Sequence, residues 1–176
     1  RYALKNFLDV PAGSKIIDIG CGTARSLEYL PQVKYVGIEP SEPYARHAQD
    51  KYGHKASFIC GYFDENAARS LAPYDLVLLL GVLHHCDDVT AKTILRDISV
   101  GLSPLGRILI LDPCLTPTQT ALARKIALMD RGKHVRTPAE YIELATPLFR
   151  VTKSETRDGV LNMPTTIHLA ELNVPT

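Results

Sequence analysis

Residues 15–25, Lys-Ile-Ile-Asp-Ile-Gly-Cys-Gly-Thr-Ala-Arg, narrow the folds open to this chain more than any other stretch. Ile16, Ile17 and Ile19 are β-branched and apolar, which suits a strand buried on both faces. Gly20 and Gly22 let the backbone turn sharply and approach a ligand closely. Residues 23–30 read as a short helix, with Thr23 as its cap. Strand, glycine turn and helix start together form the first unit of an open α/β sheet. Ligands in such sheets sit outside the carboxyl ends of the strands.

The rest of the chain repeats that alternation. An N-terminal helix is expected over residues 2–10, ending before Pro11. Strands are expected at 33–38, 57–60, 74–80 and 107–111, with helices at 42–52, 66–71, 87–100 and 118–130 and a short one at 141–145 between them. Residues 149–157 and 166–172 read as two last strands joined without a long helix, so they pair antiparallel. Leu122, Ile126 and Met129 fall on one face of the 118–130 helix and are expected to face inward.

Which ligand the glycine turn serves is decided by spacing. A dinucleotide fingerprint needs a third glycine three residues after the second. That position is Arg25, which weakens the dinucleotide reading. What remains is Asp18-x-Gly20-x-Gly22. This resembles motif I of the class I S-adenosylmethionine-dependent methyltransferases, and the resemblance extends over essentially the whole chain. The later sequence is most similar to small-molecule methyltransferases of the ubiquinone and menaquinone biosynthesis type. The resemblance implies a Rossmann-like, seven-stranded, mostly parallel sheet with helices on both faces and an antiparallel C-terminal hairpin. It also implies one domain over residues 1–176, with a substrate lid at 116–147.

The same resemblance implies S-adenosyl-L-methionine as cofactor and S-adenosyl-L-homocysteine as product. Asp18, Gly20, Cys21, Gly22, Glu39, Pro40, Gly61, Tyr62, Gly81 and Val82 are the implied cofactor residues. Glu39 ends the second strand and matches the acid that accepts hydrogen bonds from ribose hydroxyls. Asp18 lies in an apolar strand, where an unpaired charge is costly. It needs a partner, which the resemblance finds in the glycine-loop amides and the cofactor's amino group. Related enzymes often place Gly-Asp after the third strand. Here Tyr62 stands in place of that acid and Asp64 two residues later, so the adenine contact falls to either.

Residues 81–88, Gly-Val-Leu-His-His-Cys-Asp-Asp, resemble the family's segment beside the methionine end of the cofactor. A histidine there can serve as general base, and His85 is the candidate by position. Two histidines, Cys86 and two acids invite a metal, but neighbours on a strand point to opposite faces. No metal site is expected. Residues 130–136 carry Arg131, Lys133 and Arg136. They read either as a solvated helix end or as a substrate lid, in which Arg131, His134, Arg136 and Tyr141 meet an anionic or hydroxyl-rich acceptor. His168 is a weaker pocket candidate.

Composition closes off other classes. The 176 residues are 45% hydrophobic and 22% charged with net charge +1, so no strong field favours nucleic acid or a membrane surface. The four cysteines form no C-x-x-C pair and read as reduced thiols of a cytoplasmic protein. No apolar run reaches membrane length. Two rivals stay open: a nicotinamide oxidoreductase, and a methyltransferase-like binding or regulatory protein. Oligomeric state is not read from the sequence.

Overall fold

The computed structural model describes residues 9–160 and 163–175; the expected helix at 2–10 lies almost wholly outside them. Seven strands form one sheet in the order β3-β2-β1-β4-β5-β7-β6. They are β1 (Lys15–Ile19), β2 (Lys34–Glu39), β3 (Ser57–Cys60), β4 (Tyr74–Leu80), β5 (Leu102–Pro113), β6 (Arg150–Asp158) and β7 (Thr166–Asn173). The first five run parallel, and β7 pairs antiparallel with both β5 and β6. The helices are α1 (Glu42–Tyr52), α2 (Glu65–Leu71), α3 (Asp88–Gly101), α4 (Ala121–Leu128) and α5 (Pro138–Ala145).

Strand alternation divides the core into two layers. Ile17, Ile19, Val77, Leu79, Ile108 and Ile110 face a layer closed by Ala68 of α2, Leu95 and Ile98 of α3 and Leu144 of α5. Ile16, Leu76, Leu78 and Leu109 face the other, closed by Ala48 and Tyr52 of α1 and by Leu27. Leu76, Val77, Leu78 and Leu79 are all buried, which only a central strand covered on both faces permits. Each such side chain contributes roughly 1.5–3 kcal/mol on leaving water.

Several boundaries differ from the sequence expectation, each for a local reason. Residues 23–30 form no α-helix; a 3-10 turn, Arg25–Tyr29, follows Ala24 in the left-handed region, and Thr23 does not cap it. β5 starts at Leu102, because Ser103 to Gly106, expected as a turn, extends the strand beyond a register shift against β4. On α4 the buried positions are Ala123 and Ala127, while Leu122 and Met129 are exposed and Ile126 is half-buried. Only small side chains fit where α4 lies against the sheet. Among the described residues, no helix is long and apolar enough to cross a membrane.

Candidate active site

The carboxyl ends of β1, β2, β3 and β4 open onto one cavity of about 650 Å³, lined by Gly20, Gly22, Glu39, Pro40, Gly61 and Tyr62, and by Gly81, Val82, His85 and Cys86. Gly20 and Gly22 have φ of +67° and +55°, the left-handed region that glycine enters without cost. A Cβ on Gly20 would also lie 2.9 Å from Val82 Cγ2, so the glycine lets β1 and β4 close the cavity floor together.

Glu39 organises the rim. Its Oε2 accepts from Gly22 N–H at 2.9 Å and its Oε1 from Ser41 N–H at 2.8 Å. One buried carboxylate therefore ties the glycine loop to the start of α1. Each oxygen keeps a further lone pair for a ligand. Tyr44 and Tyr62, both exposed, and buried Phe63 add aromatic surface at the cavity mouth. Asp64 is committed elsewhere: it caps α2 by accepting from Ala67 N–H at 2.8 Å. Of the two candidates for the adenine contact, Tyr62 is the one that lines the cavity. Tyr44, Thr90 and Ile94 also line it and were not singled out from the sequence; Tyr44 carried one signal, its place in the first turn after the Glu39-Pro40 strand end.

Asp18 lies just beneath the loop, and its partners are not the loop amides expected. Tyr35 O–H and Ser26 O–H donate to its Oδ2 at 2.6 and 2.7 Å. Its Oδ1 is buried without a partner among the described residues. Burial pushes its carboxyl up to about 6 against the pull of the two hydroxyls. Cys21 points away from the cavity: its sulfur packs where a Cβ on Gly37 would stand, and burial pushes the thiol up.

A second cavity of about 440 Å³ adjoins the first at Gly81. Arg25, Tyr29, Leu80, Leu111, Val160 and Met163 line it, together with His84 and Asp130. Leu83–His85 is a 3-10 turn rather than extended strand, so the two histidines do not point to opposite faces; their ring centroids are 4.0 Å apart. His84 is the oriented one. Asp112, at the end of β5, places Oδ1 2.6 Å from His84 Nδ1 and also accepts from the His84 N–H at 3.1 Å. His84 Nε2 lies 3.3 Å from Asp130 Oδ1. His85 is exposed, lines the first cavity, and is pushed down by partial burial and by His84. His84 is thus the histidine whose ring is held in place, while His85, the candidate base by its position in the sequence, is exposed at the first cavity. Asp112 and Asp130 carried no local sequence signal, because their relation to His84 is made by the fold.

The expected acceptor residues separate. Arg136 is buried and consumed by structure. Its guanidinium donates to the carbonyls of Leu83, Cys86 and His134 at 2.8, 2.7 and 3.0 Å and pairs with Asp88 at 2.7 Å. Tyr141 is buried too, donating to Pro113 O at 3.0 Å and stacking on buried His168. Neither faces the second cavity. His134 and Arg136 both line a separate polar cavity with Asp88, Lys92 and Glu140, and the His134 N–H donates to His84 O at 3.0 Å. Arg131 is exposed and lines none of these cavities.

Residues 16–106 match the family model described as a methyltransferase domain. The O-methyltransferase resE of Aspergillus sclerotiorum is 32% identical over 129 residues, covering 66% of this chain and 47% of that protein. Mitomycin 7-O-methyltransferase MmcR shares the fold with a TM-score of 0.73 at 22% identity, over 93% of this chain and 49% of that one. CalO1, a methyltransferase in calicheamicin biosynthesis solved with S-adenosylhomocysteine, shares it with a TM-score of 0.72 at 21% identity, over 96% of this chain and 51% of that one. The chain spans about half the length of these relatives. None of these three is named as a quinone-biosynthesis enzyme.

Proposed function

This chain belongs to the methyltransferase domain family, and from that premise we propose that it binds S-adenosyl-L-methionine in the first cavity and methylates a hydroxyl oxygen of a small acceptor in the second. The observation that carries the reading is the junction at Gly81, where a cavity framed by Gly20, Gly22 and Glu39 meets one faced by His84.

The residues fit the cofactor's chemistry. Glu39 offers carboxylate lone pairs at the place where ribose hydroxyls need acceptors. Asp18 Oδ1 is a buried acceptor without a partner among the described residues, suited to an ammonium reached through the glycine loop. Among the described residues the cavity lining contains Glu39 and no Lys or Arg, which favours a cationic ligand and opposes a dinucleotide pyrophosphate. Arg25, standing where the third glycine of a dinucleotide fingerprint would be, faces the other cavity.

When bound, the cofactor supplies an activated methyl group on a sulfonium sulfur. The protein aligns the acceptor oxygen with that methyl and excludes water, which can supply much of the acceleration. Apolar walls of Leu80, Leu111, Val160 and Met163 suit a planar or apolar acceptor body. His84, held by Asp112, faces the acceptor hydroxyl and takes its proton. An oxygen acceptor is also what the names of resE and MmcR specify for those proteins. The four unpaired thiols suit a reducing compartment, the cytoplasm.

Calorimetry with S-adenosylhomocysteine and NAD, followed by transfer of a labelled methyl to a panel of phenols and hydroxy acids, tests the proposal. S-adenosylhomocysteine binds, NAD does not, and His84→Gln lowers transfer by about 10²-fold or more while His85→Gln lowers it far less. NAD binding without S-adenosylhomocysteine binding overturns the cofactor reading. Equal loss in the two histidine variants overturns the choice of base.

A further inference from the structure

We propose that His84, His85 and Asp130 form a binding site for a divalent transition metal of the zinc class, between the two cavities. The three side chains each offer one ligand atom, and these atoms lie within 4.8 Å of one another. His84 Nε2 and Asp130 Oδ1 are 3.3 Å apart. Zinc–nitrogen and zinc–carboxylate bonds of about 2.0–2.1 Å at tetrahedral angles separate two ligand atoms by roughly 3.3–3.4 Å. That pair already stands at the edge length of a zinc tetrahedron.

The surroundings are those a ligated imidazole needs. Asp112 holds the Nδ1 side of His84 at 2.6 Å, so Nε2 is the nitrogen that faces Asp130. A carboxylate behind the ring fixes its tautomer and raises its donor strength. Asp130 is itself oriented, its Oδ1 accepting from Gly132 N–H at 2.8 Å. His85 is exposed, and its ring lies 4.0 Å from that of His84, so a side-chain rotation brings its nitrogen to the ion without moving the backbone. Two imidazoles and one carboxylate suit Zn²⁺ or Co²⁺ rather than Mg²⁺ or Ca²⁺. Three protein ligands leave a fourth position open, as in sites that also hold water or a ligand. His85 lines the cofactor cavity and the other two line its neighbour, so the ion would sit where the cavities meet.

Resting on the proposed function, one consequence follows: an ion on Nε2 uses the lone pair that would take the acceptor's proton, so Zn²⁺ inhibits methyl transfer. Binding itself is read without cofactor or acceptor, so it stands or falls apart from the transferase reading. Tag-free, chelator-stripped protein is titrated with Co²⁺, followed by its visible absorption, and then with Zn²⁺. The expected result is one Co²⁺ per chain with an intense tetrahedral-type spectrum, displaced by Zn²⁺. His85→Ala and Asp130→Asn each weaken binding at least about tenfold, and Cys86→Ser does not. Absence of stoichiometric binding, or binding unaltered in both His85→Ala and Asp130→Asn, overturns the site. Circular dichroism and a thermal melt of each variant confirm that it is folded.

Discussion

Gly132 packs directly on His84: a Cβ at position 132 would lie 2.0 Å from the imidazole Cδ2 and 2.6 Å from the His84 carbonyl oxygen. The glycine is buried and is needed there for close approach. Gly132→Ala must push the ring off Asp112 or lift the 130–134 segment away. Either misplaces the proposed base, so kcat for methyl transfer falls at least about tenfold. The S-adenosylhomocysteine Kd changes less than about threefold, under ~0.7 kcal/mol. Steady-state kinetics beside calorimetry check the split; a parallel loss of both would place Gly132 in the cofactor cavity's support instead.

Glu39 has a double duty that its position at a strand end does not reveal. Replacement by Ala strips acceptors from Gly22 N–H and Ser41 N–H as well as from any ribose. The expected losses are at least about tenfold in cofactor affinity, ~1.4 kcal/mol, and about 1–3 kcal/mol in unfolding free energy. Urea denaturation of the ligand-free protein measures the second loss, and a stability equal to wild type would remove the loop-tying role.

Asp18 makes stability depend on pH. Its folded carboxyl is raised from 3.8 to about 6 by burial, so the folded state holds this proton more tightly than the unfolded chain. The associated stability is fully present below about pH 4 and is lost as pH rises through about 6. At about 1.4 kcal/mol per unit, the swing is on the order of 2–3 kcal/mol. Asp18→Asn removes it while keeping an acceptor for Tyr35 and Ser26. The stability of this variant relative to wild type therefore rises between pH 4 and pH 7, and a constant difference in denaturation series over that range would contradict the assignment.

Arg136 and Arg131, read together from the sequence as acceptor residues, are expected to behave differently. Arg136→Ala leaves the carbonyls of Leu83, Cys86 and His134 without their donor in a buried turn. It should cost about 2–4 kcal/mol of stability. Arg131 is exposed, and its replacement should stay within about 0.5 kcal/mol of wild type. Thermal melts of the two variants give the comparison, and equal melting temperatures would refute it.

The parallel sheet, its antiparallel end and the first cavity were legible because their signals are local. Ile16-Ile17-x-Ile19 reads as a buried strand, Gly20 and Gly22 as a turn at its end, and Glu39 as the next strand's last residue. Asp87 and Thr137 mark helix starts, and both cap as their side-chain chemistry dictates. Each depends on neighbours within a few residues, which the sequence displays.

What the chain's sequence determined by itself is the sheet's composition, the place of its ligand edge and the residue types there. Tertiary structure decided which of those residues meet. His84 became the oriented histidine because parallel pairing of β4 with β5 brings Asp112 under it, across 28 positions of sequence. Tyr35 and Ser26 reached Asp18 because β2 and the 3-10 turn converge on the same face of β1. Arg136 turned inward because the carbonyls of Leu83 and Cys86, at the bend after β4, converge with that of His134 where one guanidinium fork serves all three. These are encounters between segments distant in the chain, and periodicity and spacing carry no information about a partner that arrives from elsewhere.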